Sequence, residues 1–399
     1  MPHHLSTQAV HAGESHRKPF GAVTTPIAQT SVFSFQDTAD ILDFMQAKEA
    51  GLRPAQYEYG RYGNPTLQAA EVKLATLEGG ERAVLFASGM SAITTAFLTL
   101  LSQGDHLLLT GDCYHRTREF ALSLLSRWGI ETTLVDSAQI EALERAVRPN
   151  TRLVFIESPS NPYLRVTDLD VVVKFARQHD LLTMVDSTFA TPVNLRPLEY
   201  GVDLVVQSAT KYLGGHNDLL AGAVIGSALQ LADIELARGL LGGVSSPMDA
   251  YLLLRGLKTL ELRVHRQNEN GLRLAQYLES RPEVSRVYYP GLPSHADYAI
   301  ACRQLSGFGG VVSFDIDGDF DLTGRFIDAL QLPHIGPTLG GVESMVQQPA
   351  ALFSLEPLER RLAGIKDNLV RYSLGIENAE DLIADLEQAF SKLSGGRGR

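Results

Sequence analysis

Lys211 lies in a segment that combines an amine with hydroxyl groups and glycines. An apolar run at residues 204–206 precedes it, Ser208 and Thr210 stand directly before it, and Gly214-Gly215 follow it. Hydroxyl groups at a strand end can hydrogen-bond a phosphate, and a buried lysine amine can form a Schiff base with an aldehyde. A site for pyridoxal phosphate (PLP) needs this combination. The alternative is a solvated lysine in a surface loop.

Polar residues also follow the other apolar runs, where ligands of open parallel sheets bind. The run Ser88-Gly89-Met90 opens a helix, whose N-terminal N–H groups can hold a phosphate while Gly89 allows close approach. Tyr114 follows the second run and can stack on an aromatic ring, and Asn161 lies just beyond the fourth. These positions predict a ligand site built from several strand ends.

Asp186 ends the apolar run at residues 181–185. A carboxylate there is costly unless it is paired, and a protonated pyridine nitrogen is a suitable partner. Protonation of that nitrogen makes the ring an electron sink for a carbanion at the substrate α-carbon. The alternative for Asp186 is a helix N-cap. An acid, an amine, hydroxyls and a glycine-led helix start together favour a PLP site over an unrelated α/β fold.

The elements that must position these residues alternate along the chain. The apolar runs predicted as strands cover residues 83–88, 106–110, 131–135, 152–158, 181–186, 204–208 and 221–226. Most are separated by stretches long enough for a helix, and their two apolar faces indicate a mainly parallel seven-stranded α/β sheet covered by helices. Asn64-Pro65 predicts the start of a helix that ends at Gly79.

With 399 residues, the chain is too long for one ordinary core. Residues 1–60, interrupted by Pro19, Gly21 and Pro26, predict an extended N-terminal arm. Residues 61–255 hold the strand–helix alternation and form the predicted large domain.

Residues 256–399 predict a smaller α+β domain, with strands at 309–316 and 368–376 and a helix at 378–392. Ser246-Pro247 opens a long helical stretch that runs towards Arg281. We therefore expect the domain boundary near residues 250–260.

Composition argues against several other classes of protein. The 35 Lys and Arg are outnumbered by 46 Asp and Glu, and the net charge of -11 argues against a nucleic-acid partner. Cys113 and Cys302 form no CxxC pair, and the histidines show no ligand spacing, so we expect no metal. The N-terminus lacks an apolar signal region, and no run reaches the ~18 apolar residues of a membrane helix. We expect a soluble, cytoplasmic protein with no membrane contact.

The order of the motifs resembles the trans-sulfuration (Cys/Met metabolism) family of fold-type I PLP-dependent enzymes. The motifs that carry the resemblance are Ser88-Gly89-Met90, Tyr114, Glu157-Ser158-Pro159-Ser160-Asn161-Pro162, Asp186 and Ser208-Ala209-Thr210-Lys211-Tyr212. The resemblance extends from about His11 to Glu377. It implies a PLP cofactor, amino-acid substrates, a large PLP-binding domain with a smaller C-terminal domain, and a homotetramer of two catalytic dimers.

The resemblance also implies roles for individual residues. Lys211 is implied as the Schiff-base lysine, Asp186 as the partner of the pyridine nitrogen, and Tyr114 as the residue that stacks on the ring. The further cofactor contacts implied are Ser88, Gly89, Met90, Asn161, Ser208 and Thr210.

Tyr59 and Arg61 resemble the pair that reaches the phosphate from the neighbouring subunit, and Tyr59 or Tyr114 is implied to assist proton transfer. The alternative for the pair is an exposed, aromatic-rich loop. Arg371 matches the arginine that binds the substrate α-carboxylate, a task suited to two parallel donors. Thr338 is placed in the same substrate site.

A few positions bear on the reaction. Arg116 stands where methionine γ-lyases carry a cysteine, and Pro337 where cystathionine γ-lyases usually carry a glutamate. The stretches at residues 112–118, 288–295 and 307–314 resemble the plant-type cystathionine γ-synthases of the family.

The reaction implied is γ-replacement on a phospho, acetyl or succinyl ester of L-homoserine with L-cysteine, which gives cystathionine for methionine biosynthesis. Cystathionine γ-lyase, O-acylhomoserine sulfhydrylase and a PLP-binding regulatory module are the alternatives. The charge of Arg116 and Arg118 favours a phosphate leaving group, unless both are solvated surface residues.

Overall fold

The computed structural model describes residues 3–50, 52, 56–136, 141–353, 356–362 and 364–394. The predicted arm starts at Met1 and the predicted second domain ends at Arg399, and both of these residues lie outside the described ones. In the described part of the chain, no helix is both long and apolar enough to cross a lipid bilayer.

A seven-stranded sheet forms the centre of the larger part of the molecule. Its strands are β1 (Arg82–Phe86), β2 (His106–Thr110), β3 (Glu131–Val135), β4 (Thr151–Glu157), β5 (Leu182–Asp186), β6 (Leu204–Gln207) and β7 (Gly222–Gly226). They lie in the order β1-β7-β6-β5-β4-β2-β3. All neighbouring pairs are parallel except those that β7 forms with β1 and β6. The predicted mainly parallel, seven-stranded α/β sheet is thus confirmed.

Helices connect and cover the strands. They are α1 (Leu5–His11), α2 (Thr38–Glu49), α3 (Pro65–Glu78), α4 (Gly89–Leu100), α5 (His115–Glu119), α6 (Glu141–Ala146), α7 (Leu169–Gln178), α8 (Thr191–Asn194), α9 (Ala228–Leu241), α10 (Pro247–Leu257), α11 (Leu260–Glu279), α12 (Tyr298–Gln304), α13 (Phe320–Ala329), α14 (Pro349–Phe353), α15 (Pro357–Leu362) and α16 (Ala379–Ser394).

Both faces of the large sheet are buried, which explains why its strands are apolar throughout. In β1, Leu85 packs in the core that includes α3, whereas Val84 and Phe86 pack in the core that includes α4. Alternate side chains therefore contribute to opposite helical layers. The predicted start and end of α3 are also confirmed, with Asn64 as N-cap and Gly79 as a left-handed C-cap.

The N-terminal arm is not extended throughout, and that prediction was wrong for α1 and α2. Asp37 caps α2 by accepting a hydrogen bond from the Asp40 backbone N–H, a start signal that the prediction did not weigh. Pro19 begins a short 3-10 helix (Pro19–Gly21), where its missing N–H is not needed, and Pro26 lies outside any helix. The extended part of the arm is therefore limited to residues outside α1, α2 and this short helix.

A buried lysine ties the arm to the large sheet layer. Lys73 Nζ donates to the carbonyls of Ala9 at 2.7 Å and Val10 at 3.0 Å, and to the Glu14 carboxylate at 3.0 Å. The lysine lies in α3, which packs on β1. The arm is thus held by charge-assisted hydrogen bonds to a helix of the central core.

A second sheet lies in the C-terminal part of the chain. Its strands are β8 (Val284–Tyr288), β9 (Val311–Ile316), β10 (His334–Ile335), β11 (Met345–Gln347) and β12 (Leu369–Ser373). They lie in the order β10-β11-β12-β9-β8, and β10 with β11 is the parallel pair. Residues of α11, α13 and α16 share its core. The long helical stretch after Pro247 divides into α10 and α11 at residues 258–259. The domain boundary near residues 250–260 stays a prediction.

Candidate active site

The carboxyl ends of the central parallel strands bring several predicted site residues together. Glu157 ends β4 and is the ladder partner of Asp186, which ends β5 and is in turn paired with Val206 in β6. After β6 the chain turns at once, because the Lys211 backbone N–H donates to the Ser208 carbonyl at 3.1 Å. The turn places Lys211 beside the ends of β5 and β6.

The Lys211 amine is partly buried and has no carboxylate partner in the described part of the chain. Its Nζ donates a hydrogen bond to Thr338 Oγ1 at 2.9 Å. Burial, and then the nearby charge of Arg371, lower the pKa of Lys211 from 10.5 to about 8. A lysine with this pKa has a sizeable neutral fraction near neutral pH and can act as a nucleophile and as a base.

Asp186 is a buried acid that keeps one oxygen available. Its Oδ1 accepts hydrogen bonds from the Thr188 backbone N–H at 3.0 Å and the Thr188 hydroxyl at 2.5 Å. Within the described residues its Oδ2 accepts none, and burial raises the pKa of Asp186 to about 6. A cationic ring nitrogen at Oδ2 would satisfy the acid and keep it ionised.

The N-terminus of α4 forms a cradle of donors next to Ser208. Ser88 caps the helix by accepting from the Ser91 N–H at 3.0 Å. The N–H groups of Gly89 and Met90 have no acceptor among the described residues. A Cβ on Gly89 would lie 2.9 Å from the Cβ of Ser208, so glycine is required for this approach. A phosphate fits these free donors and the helix dipole.

Thr210 is engaged by the turn itself. Its hydroxyl donates to the Ala221 carbonyl at 3.2 Å and accepts from the Ala221 N–H at 3.1 Å. These bonds anchor the turn that presents Lys211 to the start of β7. In the structure, Thr210 therefore stabilises the loop that carries the lysine.

Arg371 is a buried guanidinium at the wall of a cavity of about 670 Å³. Its Nη1 donates to Asn161 Oδ1 at 3.1 Å and its Nη2 to the Thr338 carbonyl at 3.2 Å. Gln347 accepts from Nη1 at 3.0 Å when its amide oxygen is turned to the guanidinium. Burial lowers the pKa of Arg371 to about 10. The structure thus brings Arg371, Asn161 and Thr338 together, and Thr338 also reaches Lys211.

Tyr114 lies at the start of α5 and contributes to the same cavity. Its backbone N–H donates to the buried Glu157 carboxylate at 2.7 Å. Arg118, one helical turn later, also lines the cavity and donates to the Gly111 carbonyl.

Arg116 is not brought to the cavity by the described structure. Its exposed side chain forms a salt bridge of 2.6 Å with Glu119. The physical reason is helical periodicity, because residues two apart in a helix point in different directions. A contact from Arg116 to substrate, which the sequence predicts, is therefore not formed in this arrangement.

Tyr59 and Arg61 contact each other in the single chain, and Arg61 also contacts Gly239. Tyr59 is 42% exposed. The Arg61 guanidinium lies over the rings of Tyr59 at 5.3 Å and Tyr62 at 4.7 Å, and donates to the Gly239 carbonyl at 2.6 Å. Among the described residues, no hydrogen bond joins either of them to Lys211 or Asp186.

Sequence reasoning missed Glu157, Thr188 and Gln347 as site residues. Glu157 stands at a strand end as Asp186 does, so the same rule could have found it. Thr188 accepts from the Ser208 N–H at 2.8 Å and donates to Asp186, which links two predicted site residues. Gln347 carries no local signal, because its contact with Arg371 depends on the pairing of β11 with β12.

The donor and acceptor set fits PLP. A free amine at Lys211 suits the aldehyde, the acid Asp186 with its open oxygen suits the pyridine nitrogen, and the donors at the start of α4 suit the phosphate. The close approach of Gly89 to Ser208, which only glycine permits, brings the Ser208 hydroxyl next to these donors.

Comparisons with known proteins agree with this geometry. The family model described as "Cys/Met metabolism PLP-dependent enzyme" matches residues 6–391. The chain is 48% identical over 389 residues to cystathionine gamma-synthase 1, chloroplastic, of Arabidopsis thaliana, a match that covers 96% of this chain and 68% of that protein. It is 41% identical to the cystathionine gamma-lyase of Bacillus subtilis, over 97% of this chain and 99% of that one.

A solved structure leads to the same family. The structure of metB from Corynebacterium glutamicum matches with a TM-score of 0.91 and 36% identity, over 98% of each chain. The family model covers nearly the whole chain, and the relatives are well above 30% identical over most of their length. The chain therefore belongs to the Cys/Met metabolism family of PLP-dependent enzymes.

Proposed function

We propose that this enzyme is a cystathionine γ-synthase, which replaces the activated γ-oxygen of an L-homoserine ester with the sulfur of L-cysteine. The observation that carries the proposal is the composition of the cavity wall. Arg118 supplies a positive charge there, and Pro337 occupies the position at which cystathionine γ-lyases usually carry a glutamate. The higher identity to a plant cystathionine gamma-synthase, 48%, than to a cystathionine gamma-lyase, 41%, supports it.

The residues around the cavity divide the work of the reaction. PLP, when bound, supplies the electron sink for a substrate carbanion. Arg371 offers parallel donors to the substrate α-carboxylate, and Asn161 holds the guanidinium at 3.1 Å. Asp186 would hold the cofactor by its ring nitrogen and would favour the protonated form of that nitrogen.

Lys211 moves protons at the substrate. Its Nζ, with a pKa of about 8, takes up and returns a proton near neutral pH. Thr338 binds both Nζ and Arg371, so the base and the carboxylate clamp keep a constant separation. A substrate held by its carboxylate therefore presents its Cα–H to Nζ in one orientation.

An assay of products separates the candidate reactions. The purified holoenzyme is incubated with each homoserine ester plus cysteine or sulfide, and with cystathionine alone. We expect cystathionine from ester and cysteine, and slow oxobutyrate release from cystathionine alone. Fast oxobutyrate release would instead identify a γ-lyase, and homocysteine formed from sulfide faster than cystathionine from cysteine would identify a sulfhydrylase.

We further propose that Arg118, and not Arg116, selects a phosphate leaving group. Arg118 lines the cavity, whereas Arg116 is paired with Glu119 outside it. Loss of a charge-assisted hydrogen bond corresponds to a change of about 10- to 100-fold. Arg118→Ala is expected to lower kcat/KM for the phospho ester by about this factor, with a smaller effect on the acetyl ester.

Two matched variants control this experiment. Arg116→Ala removes a similar charge two residues away and is expected to leave the ratio of kcat/KM for the two esters unchanged. Arg118→Lys keeps the charge and is expected to retain most of the preference. An Arg118→Ala enzyme with the wild-type ratio contradicts the assignment.

A further inference from the structure

Glu157 is a buried carboxyl group that the proposed reaction does not use. It ends β4, is 3% exposed and has Asp186 as its ladder partner. Among the described residues, no Lys, Arg or His side chain lies within salt-bridge distance of it. A buried carboxyl group without a cation must be satisfied by hydrogen bonds.

The hydrogen bonds of Glu157 come from two cavity residues. The Tyr114 N–H donates to Oε2 at 2.7 Å, and the Asn161 backbone N–H also donates to the carboxyl group. Tyr114 follows β2 and Asn161 follows β4, so one side chain joins the loops after two neighbouring strands. Tyr114 is the N-cap of α5, and Glu157 is the described acceptor for its backbone N–H.

The same two residues face the ligand site with their side chains. Both line the cavity beside Arg371. The Asn161 side chain accepts from Arg371, while its backbone N–H is held by Glu157. A shift of the Glu157 carboxyl group would therefore move an aromatic wall and an arginine support together.

Glu157 serves as the acceptor for these N–H groups. Burial, followed by the charge of Asp186, raises the pKa of Glu157 well above its ordinary value. A protonated carboxyl group still offers a carbonyl oxygen to N–H donors. Glutamine, which has the same shape and a carbonyl oxygen, is thus the conservative replacement.

We propose that Glu157 is a positioning residue, which holds the backbones of Tyr114 and Asn161 so that the tyrosine ring packs on the cofactor and Arg371 stays aligned for the carboxylate. The inference rests on the proposed role of Tyr114 as the residue that packs on the cofactor ring.

The test measures cofactor binding and orientation directly. Apoproteins carrying Glu157→Ala or Glu157→Gln are titrated with PLP by equilibrium dialysis, and visible circular dichroism reports the orientation of the bound ring. Glu157→Ala is expected to raise the Kd for PLP about tenfold, because one lost buried hydrogen bond corresponds to about that factor. Its circular dichroism band is expected to shrink. Glu157→Gln is expected to retain both wild-type values.

Control variants distinguish the loss of positioning by Glu157 from a general loss of structure. Glu119→Ala removes an exposed carboxylate from α5 and is expected to change neither measurement. The double variant Glu157→Ala with Tyr114→Ala is expected to bind PLP as Tyr114→Ala does, because Glu157 acts through the tyrosine. If the Glu157→Ala apoprotein does not fold, Glu157→Gln decides: a tenfold higher Kd for PLP overturns the proposal.

The results distinguish this inference from the role on which it rests. If Tyr114→Ala keeps the wild-type Kd for PLP and circular dichroism, the role of Tyr114 in the proposed site fails. If Tyr114→Ala changes them while Glu157→Ala does not, only the positioning by Glu157 is rejected. The positioning role of Glu157 is also rejected if Glu157→Ala raises the Kd for PLP by the same factor in the Tyr114→Ala protein as in the wild type.

Discussion

Lys211 and Arg371 are two cationic side chains that share one neighbour, Thr338. In the described part of the chain, neither has a carboxylate within salt-bridge distance, and each donates to a different oxygen of Thr338. Burial and this unbalanced charge hold the pKa of Lys211 near 8. The site is thus arranged to supply a neutral amine, while the guanidinium remains a cation.

The low pKa predicts how fast the lysine links covalently to PLP. With apoprotein and PLP, trapping by borohydride is expected to accelerate as pH rises and to show a midpoint near 8, the pKa of the Lys211 amine. Mass spectrometry locates the adduct and gives its rate. An adduct on the Lys211 peptide that is absent from Lys211→Ala is the expected result.

The matched control is Lys174→Ala, which removes a lysine from α7 outside the site. This variant is expected to form the adduct at the wild-type rate. An adduct that survives in Lys211→Ala contradicts the assignment of Lys211.

At the scale of elements, a buried acid connects α3 to the strand that leads to Lys211. Glu78 Oε1 accepts from Gln207 Nε2 at 2.7 Å, and Gln207 ends β6. Glu78 Oε2 and Gln207 Oε1 are buried without partners in the described structure. Burial raises the pKa of Glu78 from 4.5 to about 8.

This pKa predicts a loss of stability as pH rises. Between pH 4.5 and about 8 the folded protein binds a proton at Glu78 that the unfolded chain releases. The free energy of unfolding therefore falls with rising pH over this window. Glu78→Gln is expected to be more stable than the wild type at pH 8, and the difference is expected to vanish towards pH 4.5.

Urea unfolding at a constant protein concentration, repeated from pH 5 to pH 8, measures the effect. Glu49→Gln, an exposed change in α2, is the control and is expected to follow the wild-type pH dependence. If the free energy of unfolding changes with pH in the same way for Glu78→Gln and the wild type, Glu78 is not the source of the loss of stability.

At the scale of the whole molecule, two residues that the family resemblance assigns to the site are engaged elsewhere in the single chain. Arg61 lies over the Tyr59 ring and donates to the Gly239 carbonyl, and within the described residues neither is hydrogen-bonded to Lys211. We propose that they complete the site of a neighbouring copy in a homotetramer of catalytic dimers. The engagement of Arg61 with Gly239 and Tyr59, and not with Lys211, supports this arrangement.

Subunit mixing tests the shared site. Lys211→Ala and Arg61→Ala proteins are expected to be nearly inactive alone. When equal amounts are unfolded together and refolded, half of the dimers are mixed and contain one intact site of two. About one quarter of wild-type activity is therefore expected, on statistical grounds.

Two observations check this prediction. Mixing Lys211→Ala with Asp186→Ala is the control. Both residues of a site come from the same chain, so each site of a mixed dimer lacks either Lys211 or Asp186 and no site is intact. Recovery in that control, or no recovery with Arg61→Ala, contradicts the shared site.

The strand and helix positions could be predicted because their signals are local. The predicted strands at residues 106–110 and 131–135 match β2 and β3 at both ends, and the other five strands of the large sheet differ by at most two residues at either end. The strand predicted at 368–376 ends three residues beyond β12. Apolar runs, N-caps and terminal glycines act within a few residues, so no distant contact is needed to recognise them. The helices α1 and α2 of the N-terminal arm were not predicted, because Pro19, Gly21 and Pro26 indicate an extended segment, although Asp37 caps α2.

The sequence by itself determined the sheet class, the PLP family and the residues at the strand ends. Only the tertiary structure decided which of them meet, as when Thr338 bonds to Lys211 across 127 positions of sequence. It also decided that Arg118 faces the cavity while Arg116 does not, and that Glu157 holds Tyr114. The physical reason is that hydrogen bonds between distant segments depend on how strands and helices pack, and no local pattern encodes that packing.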